Sequence, residues 1–318
     1  MKKMLLLGVF LFLAGCTPSF PENVVLNPEP REITSSDDLS EELASQPLYW
    51  QDRFIYLDGT PMINAPSEQF LDELRASFFK ISHDHRYIAY EYGFFRNKIG
   101  IWDTRTQTHQ ELVNTSEDVP YDATLSGIDF TENDNKIILA FTWNENSRTH
   151  TRLATVDIAT GEIEELEINN LGTTFFNIES SMDGKWVVSD KVTQGERVCL
   201  LIDLEEQDVK CLIYEEGWYS SVKFTPDSKH IVYGHRKKFN TPSSIMRSKV
   251  DRTENKSLVS GFMGASPIII TRNEIVFVAN LYDDTKCTYL YMINQDGSNF
   301  SKLSYLGEQC LPSEDTNK

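Results

Sequence analysis

Five thiols are the most reactive groups in this sequence: Cys16, Cys199, Cys211, Cys287 and Cys310. Cys16 closes an apolar N-terminal run and stands apart. The other four are an even number, which in an exported chain points to disulfides with three possible connectivities. No Cys-x-x-Cys spacing occurs, so a thiolate zinc site is not expected. His83-Asp84-His85-Arg86 is the densest polar cluster, and two imidazoles at i and i+2 could ligate copper or zinc. His235-Arg236-Lys237-Lys238 is a basic patch that could dock an acidic partner or a phosphate group. The Gly-x-Ser-x-Gly elbow, the His-Glu-x-x-His helix, the Walker loop and the dinucleotide fingerprint are all missing. Paired carboxylates for glycoside hydrolysis or lyase chemistry stay open in so acidic a chain, but sequence alone brings no two of them together. No catalytic residue, cofactor or metal ligand is therefore assigned.

The N-terminus sets the compartment. Lys2 and Lys3 precede an apolar run from Met4 to Leu13, followed by the small residues Ala14 and Gly15. A basic start, a short apolar segment and a small-residue cleavage site make a secretory signal, and the run is too short to span a bilayer as a permanent helix. Cleavage before Cys16 removes two lysines and no acid, taking the net charge from −18 to −20. That acidity argues against nucleic acid and anionic headgroups as broad partners.

A repeat must position whatever functional residues there are. An apolar strand, a tight polar turn and a second apolar strand recur at Phe79–Tyr90, Ile128–Phe141, Ile178–Val188, Val222–Tyr233 and Ile268–Val278. A second signal, offset from the first, is a strand ending in Asp or Asn before a turn: Asp58, Asp103, Asp157, Asp203, Asp251 and Asn294. These lie 45, 54, 46, 48 and 43 residues apart. Asx side chains bond the backbone two residues on, so a structural role accounts for them. Two hairpins per unit of roughly 47 residues mean four strands per unit, the pattern of β-propeller blades. On this reading the His83–Arg86 cluster falls in a turn, and Trp102, Trp143, Trp186 and Trp218 pack between blades.

The same reading places a turn near Glu205, with Cys199 and Cys211 facing each other across an antiparallel pair. Cys287 and Cys310 are then left together around the last hairpin. One helix is expected over Ser67–Ser77, and a short capped one near Asp37–Ala44.

Leu13-Ala14-Gly15-Cys16 resembles the bacterial lipobox, which implies acylation of the Cys16 thiol and anchoring by several acyl chains. The competing reading is an ordinary signal peptide with a chance Cys. Thr17 after the Cys favours the outer membrane by the sorting habit of such lipoproteins. Thr225-Pro-Asp-Ser-Lys-His-Ile-Val-Tyr233 and Ser181-Met-Asp-Gly-Lys-Trp-Val-Val188 resemble the repeat unit of TolB-type propellers, also found in prolyl-oligopeptidase-like propeller domains. The second copy departs from the unit by an extra residue within Thr131–Lys136, and the fifth by lacking the Asp-Gly.

The resemblance implies an all-β propeller of four-stranded blades, with six favoured over five or seven. The expected organisation is a signal peptide over 1–15, a flexible tether over 16–47, the propeller over 48–312 and a tail over 313–318. The expected function is a non-catalytic scaffold, lipid-anchored through Cys16 at the outer membrane and facing the periplasm, that binds one or more envelope proteins. A glycan- or peptidoglycan-cleaving propeller using carboxylates at the channel mouth is the rival.

Overall fold

The computed structural model describes residues 26–310, apart from residues 27, 94–96, 116–122, 147, 169–170, 172–174, 194–195, 212–216, 239–240, 252 and 282–286. It is a β-propeller with five four-stranded blades. Three short strands, β1 (Arg31–Ile33), β2 (Pro47–Trp50) and β3 (Arg53–Tyr56), precede blade I, which comprises β4 (Ser77–Ile81), β5 (Tyr87–Tyr92), β6 (Lys98–Asp103) and β7 (Thr108–Asn114). Blade II comprises β8 (Thr124–Phe130), β9 (Lys136–Glu145), β10 (Arg148–Asp157) and β11 (Ile163–Leu166). Blade III comprises β12 (Phe175–Ser180), β13 (Trp186–Thr193), β14 (Glu196–Asp203) and β15 (Asp208–Cys211). Blade IV comprises β16 (Trp218–Phe224), β17 (His230–Arg236), β18 (Ser243–Lys249) and β19 (Lys256–Phe262). Blade V comprises β20 (Gly264–Ile270), β21 (Glu274–Asn280), β22 (Cys287–Asn294) and β23 (Ser301–Leu303), with the short β24 (Gln309–Cys310) paired to β22.

The expected sixth blade is not a full one. Its place between blades V and I holds a two-stranded sheet, β2 (Pro47–Trp50) and β3 (Arg53–Tyr56). Leu48, Trp50 and Ile55 pack on Ile269, Val276 and Leu290 of blade V, while Phe54 packs on Ile88 and Tyr90 of blade I. Helix α2 (Glu68–Leu74), N-capped by the Ser67 hydroxyl, adds Leu71 to that second contact. The helix ends at Arg75, whose left-handed φ of 55° stops it before the expected Ser77. This stretch lacks the second pair of strands because its residues are spent on α2 instead.

The N-terminal segment is folded from well before residue 48. Strand β1 (Arg31–Ile33) adds in parallel to β23, matching Arg31 to Ser301 and Ile33 to Leu303. Instead of one capped helix there are a single 3-10 turn over Ser36–Asp38 and α1 (Glu41–Ala44), each opened by a serine side chain accepting a backbone N–H. Ile33 and Leu43 are buried in the blade V core, and apolar residues at that spacing explain why this acidic segment docks.

The turns of the repeat share one hydrogen-bond design. A Ser or Thr hydroxyl meets the Asp two residues on at 2.6–2.8 Å in blades I, III and IV. The same Asp accepts the N–H two residues further along, from Arg86, Lys185 and Lys229. The turn of blade II has the same length, since Thr131 N–H donates to the Lys136 carbonyl as Ser82 N–H does to Tyr87. The extra residue expected there is therefore absent, and only blade V differs, closing from Thr271 to Glu274.

Candidate functional site

One residue of each inner strand lies two before the Ser or Thr that opens the turn: Lys80, Asp129, Glu179, Lys223 and Ile269 in blades I to V. Every one of these strands has a register shift upstream of or beside that residue, between Ser77 and Lys80, Leu125 and Gly127, Phe176 and Ile178, Ser220 and Lys223, and Pro267 and Ile269. Bulges of this kind bend a strand and re-aim its side chains. Phe78 and Ser221 sit at two of them with left-handed φ of 53° and 41°.

The four charged residues meet in the central channel. Lys80 Nζ lies 2.7 Å from Glu179 Oε2 and 3.3 Å from Asp129 Oδ1. Lys223 Nζ donates to both Glu179 oxygens, at 2.9 and 3.1 Å. Asp129 Oδ2 also accepts the Ser180 N–H at 2.7 Å. Because Lys80 reaches past blade II to blade III, the network is a crossbar over the channel. The four formal charges cancel. Their side chains keep only 14–27 % exposure, so partnership decides their ionisation. Burial pushes the Glu179 carboxyl up, but the two lysines overcome it and hold the group at about 2. Burial pushes Asp129 up, and Lys80 only partly offsets this against the nearby Glu179 charge. Lys80 is held above the usual lysine value, its two carboxylates outweighing the burial that would lower it.

A cavity of about 780 Å³ surrounds the crossbar. At the turn end it is lined by His83, His85, Met182 and Arg272. Its walls are unequal: blades I to IV contribute the four crossbar charges, while blade V with β2 contributes Ile268, Ile269 and Leu48, with Arg272 and Glu42 adding charge at the turn end.

The His83–Arg86 cluster does occupy a turn, but His83 is engaged rather than free in solvent. Its Nδ1 lies 2.8 Å from Asp134 Oδ1, and Asp134 Oδ2 accepts the Asp84 N–H at 2.9 Å. This ties the turn of blade I to that of blade II. The hydrogen bond to Asp134 raises the His83 pKa above its ordinary value, whereas burial lowers that of His85. Blades III and IV are tied in the same way, Asp183 N–H donating to Ser228 Oγ at 3.1 Å. Among the described residues no three His, Cys, Asp or Glu side chains converge as metal ligands. Arg86 is bound to Asp103 Oδ2 at 2.7 and 3.1 Å, so this cluster is spent on structure.

The basic patch is also divided. His235 is buried and stacked 4.9 Å from the Tyr219 ring, and Arg236 donates to the Met263 carbonyl at 3.2 Å, leaving only Lys237 and Lys238 exposed. Trp102 donates to the Asn64 carbonyl, Trp143 is buried against His150, and Lys210 covers Trp186. Trp218 departs from the expected packing, with 44 % of its surface exposed.

The cysteines fall at two kinds of register. Cys211 pairs with Leu200, one residue away from the Cys199 pairing that a turn centred on Glu205 requires. Cys287 stands directly opposite Cys310, as a cross-strand bridge needs. Cys16 and the whole lipobox lie outside the described residues. No helix among the described residues is long and apolar enough to cross a membrane.

Sequence reasoning missed the crossbar, although its signal was present: the second letter of the phrases FKIS, IDFT, IESS, VKFT and IIIT reads Lys, Asp, Glu, Lys, Ile. Charge at a position that should face a barrel-like interior is the anomaly that marks it.

No family model and no curated protein matches the chain by sequence. Solved structures do match. TolB from Acinetobacter baumannii superposes with a TM-score of 0.58 at 17 % identity, over 78 % of this chain and 57 % of its own. The chain therefore spans little more than half of that protein. A putative TolB from Agrobacterium tumefaciens gives 0.59 at 14 % identity, over 81 % of this chain and 86 % of its own. The chain has the TolB-type propeller fold. An oligogalacturonate lyase solved with manganese also aligns, at a TM-score of 0.50 and 14 % identity, over 71 % of this chain and 63 % of its own. One fold thus serves proteins of different activity, and function must be argued from the site.

Proposed function

We infer that this chain is a non-catalytic, lipid-anchored propeller of the bacterial cell envelope, held at the outer membrane through Cys16 and facing the periplasm, where it binds another envelope protein. The crossbar carries this reading. Both crossbar carboxylates are engaged by lysines, and Glu179 at about 2 stays ionised throughout the physiological range. A glycoside-hydrolysing site needs one carboxyl poised to donate a proton and another free to attack or to activate water. Here the ionised carboxylate, Glu179, is bound by two lysines and is not free to attack, which supports recognition over hydrolysis. Met182, 38 % exposed at the cavity rim, offers an adaptable apolar contact of the kind used at binding surfaces. The directly opposed Cys287 and Cys310 support a bridge between them, in keeping with an oxidising compartment.

The test is a photo-crosslinking residue at position 182 in intact cells. One recurrent envelope protein in the crosslinked product is the expected result. Absence of any adduct, together with turnover of peptidoglycan or oligosaccharide by the purified protein that is lost in Asp129→Asn, would replace this reading with the enzymatic one.

A further inference from the structure

We propose that the propeller is seated close against the membrane by the rim of blade V, because the segment between the lipid and the fold is about ten residues long rather than about thirty. This rests on the reading of Cys16 as the acylated residue. The first described residue, Leu26, packs in the cluster that contains Leu258, Phe262 and Phe300 of blades IV and V. From there the chain is held at successive points. Arg31 N–H donates to the Phe300 carbonyl at 2.9 Å, and β1 completes the edge of β23. Glu32 accepts from the Ser304 hydroxyl. Ile33 and Leu43 are 2 % and 0 % exposed within the blade V core, and Glu42 accepts the Arg272 N–H at 3.3 Å. Residues 26–46 are therefore a strap belonging to the propeller, and they give it no reach.

Contour length makes the difference large. Ten residues from Cys16 to Leu26 extend at most about 35 Å, whereas thirty-two residues to Leu48 would extend about 110 Å. A domain of this size is roughly 50 Å across. A ten-residue spacer is shorter than that diameter, so the attachment at blade V cannot leave the lipid by more than about 35 Å, whereas the opposite side of the ring, at blade II, can. A thirty-residue tether would impose no such order. The partner surface identified here is a lipid one, approached through chain geometry and not through charge, since the mature chain is strongly acidic.

The experiment uses the full lipidated protein on vesicles of phosphatidylethanolamine and phosphatidylglycerol carrying an acceptor dye in their headgroups. A donor amino acid is incorporated either at Ser298, in the last turn of blade V, or at Thr160, in the corresponding turn of blade II. Energy transfer at least twofold stronger from position 298 is expected. Insertion of twenty Gly/Ser residues after Phe20, outside the described fold, should abolish the difference. Equal transfer from both positions in the parent protein would overturn the seating while leaving the anchor intact. Mass spectrometry of the N-terminal peptide separates the other failure: an unmodified Cys16 on a chain that never reaches the vesicles overturns the anchor and the seating together.

Discussion

Gly234 in β17 of blade IV sits against the backbone of Ala265 in blade V. A Cβ there would lie 1.9 Å from the Ala265 carbonyl oxygen and 2.2 Å from Ser220 Oγ, which are themselves hydrogen-bonded at 2.6 Å. Backbone cannot yield as a side-chain tip can, so Gly234→Ala should cost about 3 kcal/mol, the upper part of the overpacking range, read as a lower thermal midpoint. Glu179 is the shared acceptor of two lysines, and Glu179→Gln leaves both undercompensated. A loss of about 2–3 kcal/mol is expected by chemical denaturation, below the figure for a fully buried pair because the channel keeps some exposure. Acid should act on the same group. Its folded pKa of about 2 lies below the ordinary 4.5, so its contribution is present above pH 4.5 and lost as pH falls from there toward 2. Asp129, shifted upward, works the other way and relieves part of that loss as it protonates. His83 has the opposite sign from Glu179: raised above 6.5, its contribution is full below that pH and fades as pH climbs through the folded value. Its partner Asp134 is lowered, hydrogen bonds from His83 and Asp84 outweighing burial. The tie between blades I and II is thus strongest between about pH 4 and 6.5, and a pH series of melts on wild type and His83→Ala should converge above that window.

At the scale of elements, ring closure differs from the repetition that builds the rest. Blades I to V each pair their strands in sequence order, and such units need only their neighbours. The sixth place is filled by β2, β3 and α2, and the outer edge of blade V is extended by β1 from the far end of the chain. Leu43→Asp places a charge in the joint core of strap and blade V. It should therefore loosen both ends of the ring together, with hydrogen exchange rising in β1, β2 and β23 while β9 and β13 stay protected. Exchange confined to residues 26–46 would show that the strap is dispensable to closure. The cysteine registers give a separate check at this scale. Peptide mapping without reductant should recover a Cys287–Cys310 bridge, and recovery of Cys199 joined to Cys211 would mean that β14 and β15 pair one residue away from the register seen here.

For the whole molecule, the channel combines the crossbar charges of four blades with apolar surface, the latter including Ile268 and Ile269 of blade V and Leu48 of β2. An occupant must match both, which favours a protein segment over a uniformly polar sugar. Purified protein should accordingly retain its envelope partner in high salt, with apolar contact persisting once screening has weakened exposed charge. Co-purification that collapses at 0.5 M salt would assign binding to the acidic exterior instead.

Much of this architecture was legible in the residues because it depends on local rules. The strand–turn–strand phrase, the Asx at each second turn and the serine caps are set by neighbours a few positions away, and they specify blades without reference to the rest of the chain. The same locality underlies the expectation of an export signal ending at Cys16. Tertiary structure alone decided three other matters. It brought Lys80, Asp129, Glu179 and Lys223 together across roughly 140 residues of chain, because closing a ring sets one repeat position of every blade around a common axis. It turned the acidic stretch over 28–46 into a strap, because Ile33 and Leu43 gain a core only when blade V is present. It also replaced the sixth blade with a two-stranded sheet and a helix, since closure depends on what fills the remaining gap and not on the period of the repeat.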